Sequence, residues 1–265
     1  MYSDHASSGW AGRVSLRSAA ERLTHRLVLY RRLPVPFRDV RMYVSSEAGL
    51  RYLKTSLAGV DPTLLRVVDE FVEPGHVVWD IGANIGLFTL AAASRAGRNG
   101  HVFSMEADTW NADMLRRSAA RQPHSSAPVV VVPLAVADKQ GVVEFEIAVR
   151  NRATNAISGF GSTQTGGVRQ RHRVPAVTLN CLSEHFALPH VLKIDVEGAE
   201  ALVLGAASRV LAARPVVFCE VTLDNAEAVG NALAQHGYTF YDAAARAPRA
   251  GLSAPPFNLL AIASD

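Results

Sequence analysis

From Pro62 onward, short apolar runs alternate with segments of helical periodicity. The pattern predicts a helix over Thr63–Val72, a turn at Pro74-Gly75, a strand over His76–Asp80 and a helix over Ile85–Ala96. Asn99-Gly100 then turns into a strand over His101–Met105, followed by a helix over Thr109–Arg121. Val129–Val132 is β-branched throughout and reads as a strand buried on both faces. Val142–Val149 alternates apolar and acidic positions, as an exposed antiparallel strand does, and Val174–Val177 is expected to pair back with it. The rhythm resumes with a strand at Val191–Ile194, a helix over Ala199–Ala213 and a strand over Val216–Val221. A helix over Asn225–His236, a strand ending near Tyr241 and a last strand at Asn258–Ala263 complete it. Such alternation predicts an α/β fold with a mostly parallel sheet covered by helices on both faces.

Ahead of Pro62 the pattern differs. Val14–Arg32 carries Leu16, Leu23, Leu27 and Tyr30 near one stripe, which predicts an amphipathic helix ended by Pro34 and Pro36. An extended segment at Val40–Val44 and a helix near Glu47–Leu57 follow. Two regions are therefore expected: an N-terminal helical extension or lid over residues 1–60 and a body over 61–265. Within the body, residues 151–171 form a long polar connection, a type that is usually functional or disordered.

Charge adds one distinction. Of the 265 residues, the first 50 hold eight Arg and four acids, net +4, against +3 for the whole chain, so the remainder sums to −1. A near-neutral body leaves no broad electrostatic footprint for nucleic acid, so no nucleic acid partner is expected. The basic segment reads as a substrate lid, a dimer arm or a surface helix; a homodimer is one option. No apolar run is long enough for a membrane span, no secretory leader is recognisable, and Cys181 and Cys219 make no disulfide framework. A cytoplasmic protein with reduced thiols is expected.

Two motifs carry the chemistry. In Asp80-Ile81-Gly82-Ala83-Asn84-Ile85-Gly86 a strand ends in a carboxylate and turns through glycines into a helix. Glycine permits a sharp turn and close approach to a ligand. The Asp80 carboxylate at that place repels a pyrophosphate and attracts an amino-bearing ligand. Glu106, at the end of the second strand, stands where doubly wound folds put the carboxylate that takes both ribose hydroxyls. An adenosine with a cationic amino-acid tail satisfies both acids, and S-adenosylmethionine is such a molecule. The turn at Leu134-Ala135-Val136-Ala137-Asp138 then lies along the adenine edge, with Ala135 and Val136 offering backbone groups to the base. The expected cofactor-binding set is Asp80, Gly82, Ala83, Asn84, Gly86, Glu106, Ala135, Val136 and Asp195.

The second motif is Lys193-Ile194-Asp195-Val196-Glu197-Gly198-Ala199-Glu200. With the first motif, Glu106, the Ala135–Asp138 turn with Gly141, Thr178-Leu179, Leu204-Gly205 and Glu220, it resembles the FkbM family of S-adenosylmethionine-dependent methyltransferases. The resemblance runs from about Ser46 to Ala263. It implies a seven-stranded, Rossmann-like class I methyltransferase fold and O-methylation, often of hydroxyls on sugars or natural products. Two positions depart from the family pattern: Ala107 replaces a usual proline, and Asn180 a usual aspartate.

Methyl transfer to a hydroxyl needs in-line alignment and a base. Asp195 at the carboxyl edge is the first choice as base or orienting acceptor, Glu197 in the following turn the second, and Glu220 on the adjacent strand the third. Lys193 is expected to face the flanking structure or pair with a carboxylate, and Glu200 to sit in the first turn of its helix. Asp195, Glu220, Asp224 and Asn225 offer oxygen ligands of the Mg²⁺ type, but Asp224-Asn225 also reads as a helix cap, so no metal is assigned. Polar Asn151, Asn155, Ser158, Ser162 and Gln164 suit a hydroxylated acceptor. The alternatives are an NAD-dependent dehydrogenase, whose Gly-x-Gly-x-x-Gly spacing Asp80 and Ala83-Asn84 break, and a non-catalytic nucleotide- or S-adenosylmethionine-binding scaffold protein.

Overall fold

The computed structural model describes residues 27–54, 56–149, 151–161, 166–245 and 250–264. Its centre is a seven-stranded sheet built from β3 (Val77–Ile81), β4 (His101–Met105), β5 (Val129–Val132), β10 (Val191–Ile194), β11 (Val216–Glu220), β12 (Tyr238–Asp242) and β13 (Asn258–Ala263). The spatial order is β12-β13-β11-β10-β3-β4-β5. β11, β10, β3, β4 and β5 run parallel, and β13 lies antiparallel between β11 and β12. The chain order reverses between β3 and β10, which opens a crevice at their carboxyl ends where ligands bind in such sheets.

Among the described residues, seven α-helices cover the sheet: α1 (Pro62–Phe71), α2 (Leu87–Ala96), α3 (Thr109–Ala119), α4 (Leu179–His185), α5 (Glu200–Gly205), α6 (Ser208–Ala212) and α7 (Ala226–Ala234). One face buries Val78, Phe88, Leu90, Met114 and Leu115, and the other Trp79, Leu192, Val203, Val217 and Leu233. α1 is started by Asp61, whose Oδ1 accepts from the Leu64 amide at 2.9 Å, with proline at its first position. A smaller sheet of β6 (Ala135–Val136), β7 (Gly141–Ala148), β8 (Ala156–Ile157) and β9 (Val168–Val177) stands at the crevice mouth, ordered β6-β9-β7-β8. β7 and β9 pair antiparallel as their alternation predicts, over a longer β9 than the sequence pattern marks.

Four expectations need correction. Residues 28–32, the end of the expected Val14–Arg32 helix, form strand β1 (Val28–Arg32), paired antiparallel with β2 (Arg41–Ser45); positions 14–26 lie outside the described residues. The pairing stacks Tyr30 on Tyr43 with ring centroids 4.8 Å apart, and the Tyr43 amide donates to Ser118 Oγ on α3. These tertiary contacts override a local helical stripe. The expected Glu47–Leu57 helix is instead three 3₁₀ turns, interrupted at Gly49 (φ +130°) and at the extended Lys54. β5 is not buried on both faces: it is the sheet edge, and Val130 is 39% exposed. The Ala199–Ala213 helix breaks at Ala206-Ala207 into α5 and α6. Asn180 holds the break, donating its amide to Ala206 O and accepting from the Arg209 amide at 2.9 Å through Oδ1.

The N-terminal segment shares its core with the body. Leu33, Phe37, Val40, Met42, Val44, Tyr52 and Leu57 join one hydrophobic cluster with α1, α2 and β3. Among the described residues, no helix is long and apolar enough to cross a membrane.

Candidate active site

At the carboxyl ends of β3, β4 and β10 lies a partly open cavity. Gly82, Asn84, Met105, Glu106 and Ala107 form one wall, Leu134, Ala135 and Val136 another, and Asp195, Val196 and Glu197 a third. The smaller sheet closes it with Phe145, Arg152, Ala153, Asn155 and Ile157. Of the nine expected cofactor-binding residues, Gly82, Asn84, Glu106, Ala135, Val136 and Asp195 line this space.

The turn after β3 explains the glycine spacing. Gly82 sits at φ +76°, and a Cβ there would lie 1.8 Å from Asp195 O, so a side chain would drive β3 and β10 apart. Gly86 at φ +96° faces Leu115, whose Cδ1 would be 2.2 Å from a Cβ. Ala83 and Gly86 are therefore packing residues behind the wall rather than lining residues. Their amides are already used: Gly82 and Ala83 donate to Met105 O, Asn84 to Glu106 Oε2 at 2.6 Å, and Ile85 to Asn84 Oδ1. A pyrophosphate would find these donors engaged, unlike the free amides of a dinucleotide cradle.

Asp80, expected in the cofactor-binding set, is not among the residues that line the cavity. It is fully buried behind the wall. Thr89 Oγ1 donates to its Oδ2 at 2.6 Å, and its Oδ1 has the Lys193 ammonium at 3.1 Å. β3 and β10 pair Asp80 directly against Lys193, so the two opposite charges meet across the strands. Lys193 Nζ also donates to Gly82 O at 2.6 Å and lies 3.5 Å from Asp195 Oδ2. Burial opposes the Lys193 charge, yet Asp80 and then Asp195 outweigh it and hold the ammonium above its ordinary range. A buried charge is tolerated only when paired in this way. Lys193 thus stands between the Asp80 and Asp195 carboxylates.

Glu106 faces the cavity with Oε1 accepting from the Asp108 amide at 2.8 Å and Oε2 from Asn84. Burial pushes its carboxyl up to about 7, against the lowering effect of those amides. A carboxylate oxygen has capacity beyond one donor, so the arrangement suits a vicinal diol.

The three expected catalytic acids converge. β10 and β11 run in parallel register, which sets Asp195 and Glu220 side by side just beyond Ile194 and Cys219. Glu197 adopts φ +55°, an uncommon conformation for a non-glycine residue, in the turn before Gly198. Burial, then Asp195 and Glu220, push Glu197 up to about 8. Burial, then Asp195, push Glu220 to about 8. Glu200 is buried beside them in the first turn of α5, its Oε1 accepting from the Gly198 and Val196 amides. Asn225 occupies the N-cap position of α7 without a side-chain capping bond; its Nδ2 donates to Glu200 Oε2 at 2.5 Å. Asp195, Glu220 and Asp224 form no group of metal-binding spacing among the described residues. Among the described residues, one His/Cys/acid group has metal-binding spacing: Cys181, Glu184 and His185 on α4.

Sequence reasoning missed what the appendages bring. Arg152 Nε donates to Glu47 Oε2 at 2.9 Å and its Nη1 to Asp108 Oδ2 at 2.5 Å, while its guanidinium lies 4.9 Å from the Trp110 ring centre. Asn155 lines the cavity and braces it, its Nδ2 donating to Asp108 Oδ2 and its Oδ1 accepting from the Ala148 amide. Ser158 donates to Glu146, Asn151 caps a 3₁₀ turn, and Ser162 and Gln164 lie outside the described residues. Arg51 and Asp61 stand close enough for their charges to act on Glu220, and Arg51 also on Glu197; Tyr52 is buried beside them. No spacing rule ties these residues to motifs far along the chain.

Residues 80–240 match the model of the methyltransferase FkbM domain. Over 161 residues the chain is 27% identical to hexuronic acid methyltransferase AglP of Haloferax volcanii, covering 60% of this chain and 61% of that protein. Among solved structures, methyltransferase FkbM from Methylobacillus flagellatus aligns at TM-score 0.37 and 15% identity, over 59% of this chain and 39% of that one. Precorrin-6y C5,15-methyltransferase from Geobacter metallireducens aligns at TM-score 0.42 and 16% identity, over 79% and 89%. With the family match spanning more than half of its length, the chain belongs to the FkbM methyltransferase family.

Proposed function

We propose that this chain is an S-adenosylmethionine-dependent O-methyltransferase that acts in the cytoplasm on a hydroxyl of a small molecule, sugar or natural product. The observation that carries the reading is one cavity lined by Glu106 and by Asp195 and Glu197, with Glu220 close enough for its charge to act on Glu197. S-adenosylmethionine supplies a methyl group activated by its sulfonium. Glu106 would hold the ribose hydroxyls, Leu134, Ala135 and Val136 the nucleobase, and Gly82 and Asn84 the connecting wall. Asp195, fixed by Lys193, would take the cationic amino-acid end or orient the acceptor hydroxyl.

The acid pair supplies the base. Glu197 and Glu220 are each raised to about 8, so near neutral pH the pair retains protons. A cationic ligand alongside favours ionisation, and the ionised member takes the proton that the hydroxyl loses as its oxygen bonds to the methyl carbon. The related hexuronic acid methyltransferase supports a sugar acceptor. Arg51, Tyr52 and Asp61 would shape the acceptor side, which gives the N-terminal segment its role as a cover. A homodimer is compatible with this arrangement.

The test is a panel of hydroxylated metabolites and sugars incubated with S-adenosylmethionine labelled in its methyl group. Label should appear in an acceptor and survive mild alkali, as a methyl ether does and a methyl ester does not. Absence of transfer to every acceptor together with absence of cofactor turnover would refute the reading.

A further inference from the structure

Asn111, in the first turns of α3, is 1% exposed, yet it borders the cavity, and its Oδ1 accepts no hydrogen bond. A buried acceptor left without a donor is destabilising, and natural proteins leave few such groups. The same cavity is lined by Glu106 and Ala107 after β4 and by Leu134 and Ala135 after β5. If Glu106 takes the ribose, the next group along the wall is the base. That stretch is otherwise apolar, with Met105 and Leu134 offering no donor.

We propose that Asn111 reads the nucleobase of the cofactor, its side-chain amide pairing with the exocyclic amine and adjacent ring nitrogen of adenine. The proposal rests on the cofactor assignment given above. Adenine presents a donor and an acceptor side by side, and an amide matches both at once. Rotation about χ2, a soft two-fold torsion, turns Oδ1 into the cavity without moving α3. In the ligand-free wall Oδ1 is buried and accepts no hydrogen bond; the amine of the base supplies the donor it lacks. Asn111 is thereby a specificity residue that selects adenine over a purine without the 6-amino group.

The test is calorimetric and needs no turnover. Wild-type protein is titrated with S-adenosylhomocysteine and with the analogue that carries hydrogen in place of the 6-amino group. Wild type should bind the analogue about tenfold more weakly, the equivalent of one net hydrogen bond. Asn111→Leu should bind the two alike within about twofold, with S-adenosylhomocysteine weakened about tenfold. Equal affinity of wild type for both ligands, or a tenfold gap kept by Asn111→Leu, overturns the role of Asn111 while leaving the cofactor assignment in place. Failure of wild type to bind either ligand overturns both. Should Asn111→Leu not fold, Asn111→Ser, which removes the paired amide and keeps a polar side chain, takes its place under the same outcomes.

Discussion

Replacing Lys193 with methionine isolates the buried charge on which the reaction floor is built. Lys193 is 3% exposed and lies 3.1 Å from Asp80, which is fully buried. Methionine keeps the length and removes the ammonium. Asp80 would then hold a buried carboxylate with only the Thr89 hydroxyl as donor, and Gly82 O would lose its 2.6 Å bond. Breaking one side of a buried pair costs about 3–5 kcal/mol. For a chain of this size that is a fall in Tm of roughly 6–20 °C. Urea unfolding of Lys193→Met should show a lower midpoint with an unchanged slope. Adding Asp80→Asn should restore much of the loss, because the stranded charge goes too. Independent effects adding within about 0.5 kcal/mol, or a loss under about 1 kcal/mol for Lys193→Met, would refute the pairing. Lys193 also lowers Glu106 and Glu220, so its loss should move the pH dependence of methyl transfer to more alkaline values.

Three further outcomes follow from the same geometry. Gly82→Ala places a carbon 1.8 Å from Asp195 O; circular dichroism melts should show a loss above about 3 kcal/mol, as backbone incompatibility and overpacking combine, while unchanged stability would mean that β3 and β10 are farther apart than described. Glu106, Glu197 and Glu220 have folded-state values of about 7, 8 and 8 against an ordinary 4.5. The folded state therefore binds more protons over that range, so stability of the ligand-free protein should fall as pH rises from about 4.5 to 8; a rise over the same window in urea titrations contradicts the burial of these acids. Arg152→Ala removes charged bonds to Glu47 and Asp108 and should cost about 2 kcal/mol and weaken binding of S-adenosylhomocysteine, readable in one set of ligand-shifted melts.

Much of the parallel sheet was legible because each central strand is an apolar run bounded by turn residues, and such runs are set by burial. Strand β4 and the last strand β13 fall where the pattern places them. The N-terminal hairpin was not, since Tyr30 and Tyr43 stabilise it by meeting across strands, a contact invisible to helical periodicity. The site divided in the same way. Glu106, Asp195 and Glu197 could be placed because a residue that ends a parallel strand reaches the crevice whatever its neighbours are. Asp80 also ends an apolar run, but its partner Lys193 lies on the neighbouring strand, and only the pairing register reveals that the carboxylate is taken. Arg152 and Asn111 carried no signal because their meaning comes from Glu47, Asp108 and the cavity wall.

Titration calorimetry of S-adenosylhomocysteine against wild type and Glu106→Ala tests the cofactor site most directly. Wild type should release a clear one-site heat, and Glu106→Ala should lose at least tenfold in affinity, the scale of one charge-assisted hydrogen bond. No heat with wild type, or undiminished affinity in Glu106→Ala, would contradict a ribose held by Glu106 at the carboxyl edge of this sheet.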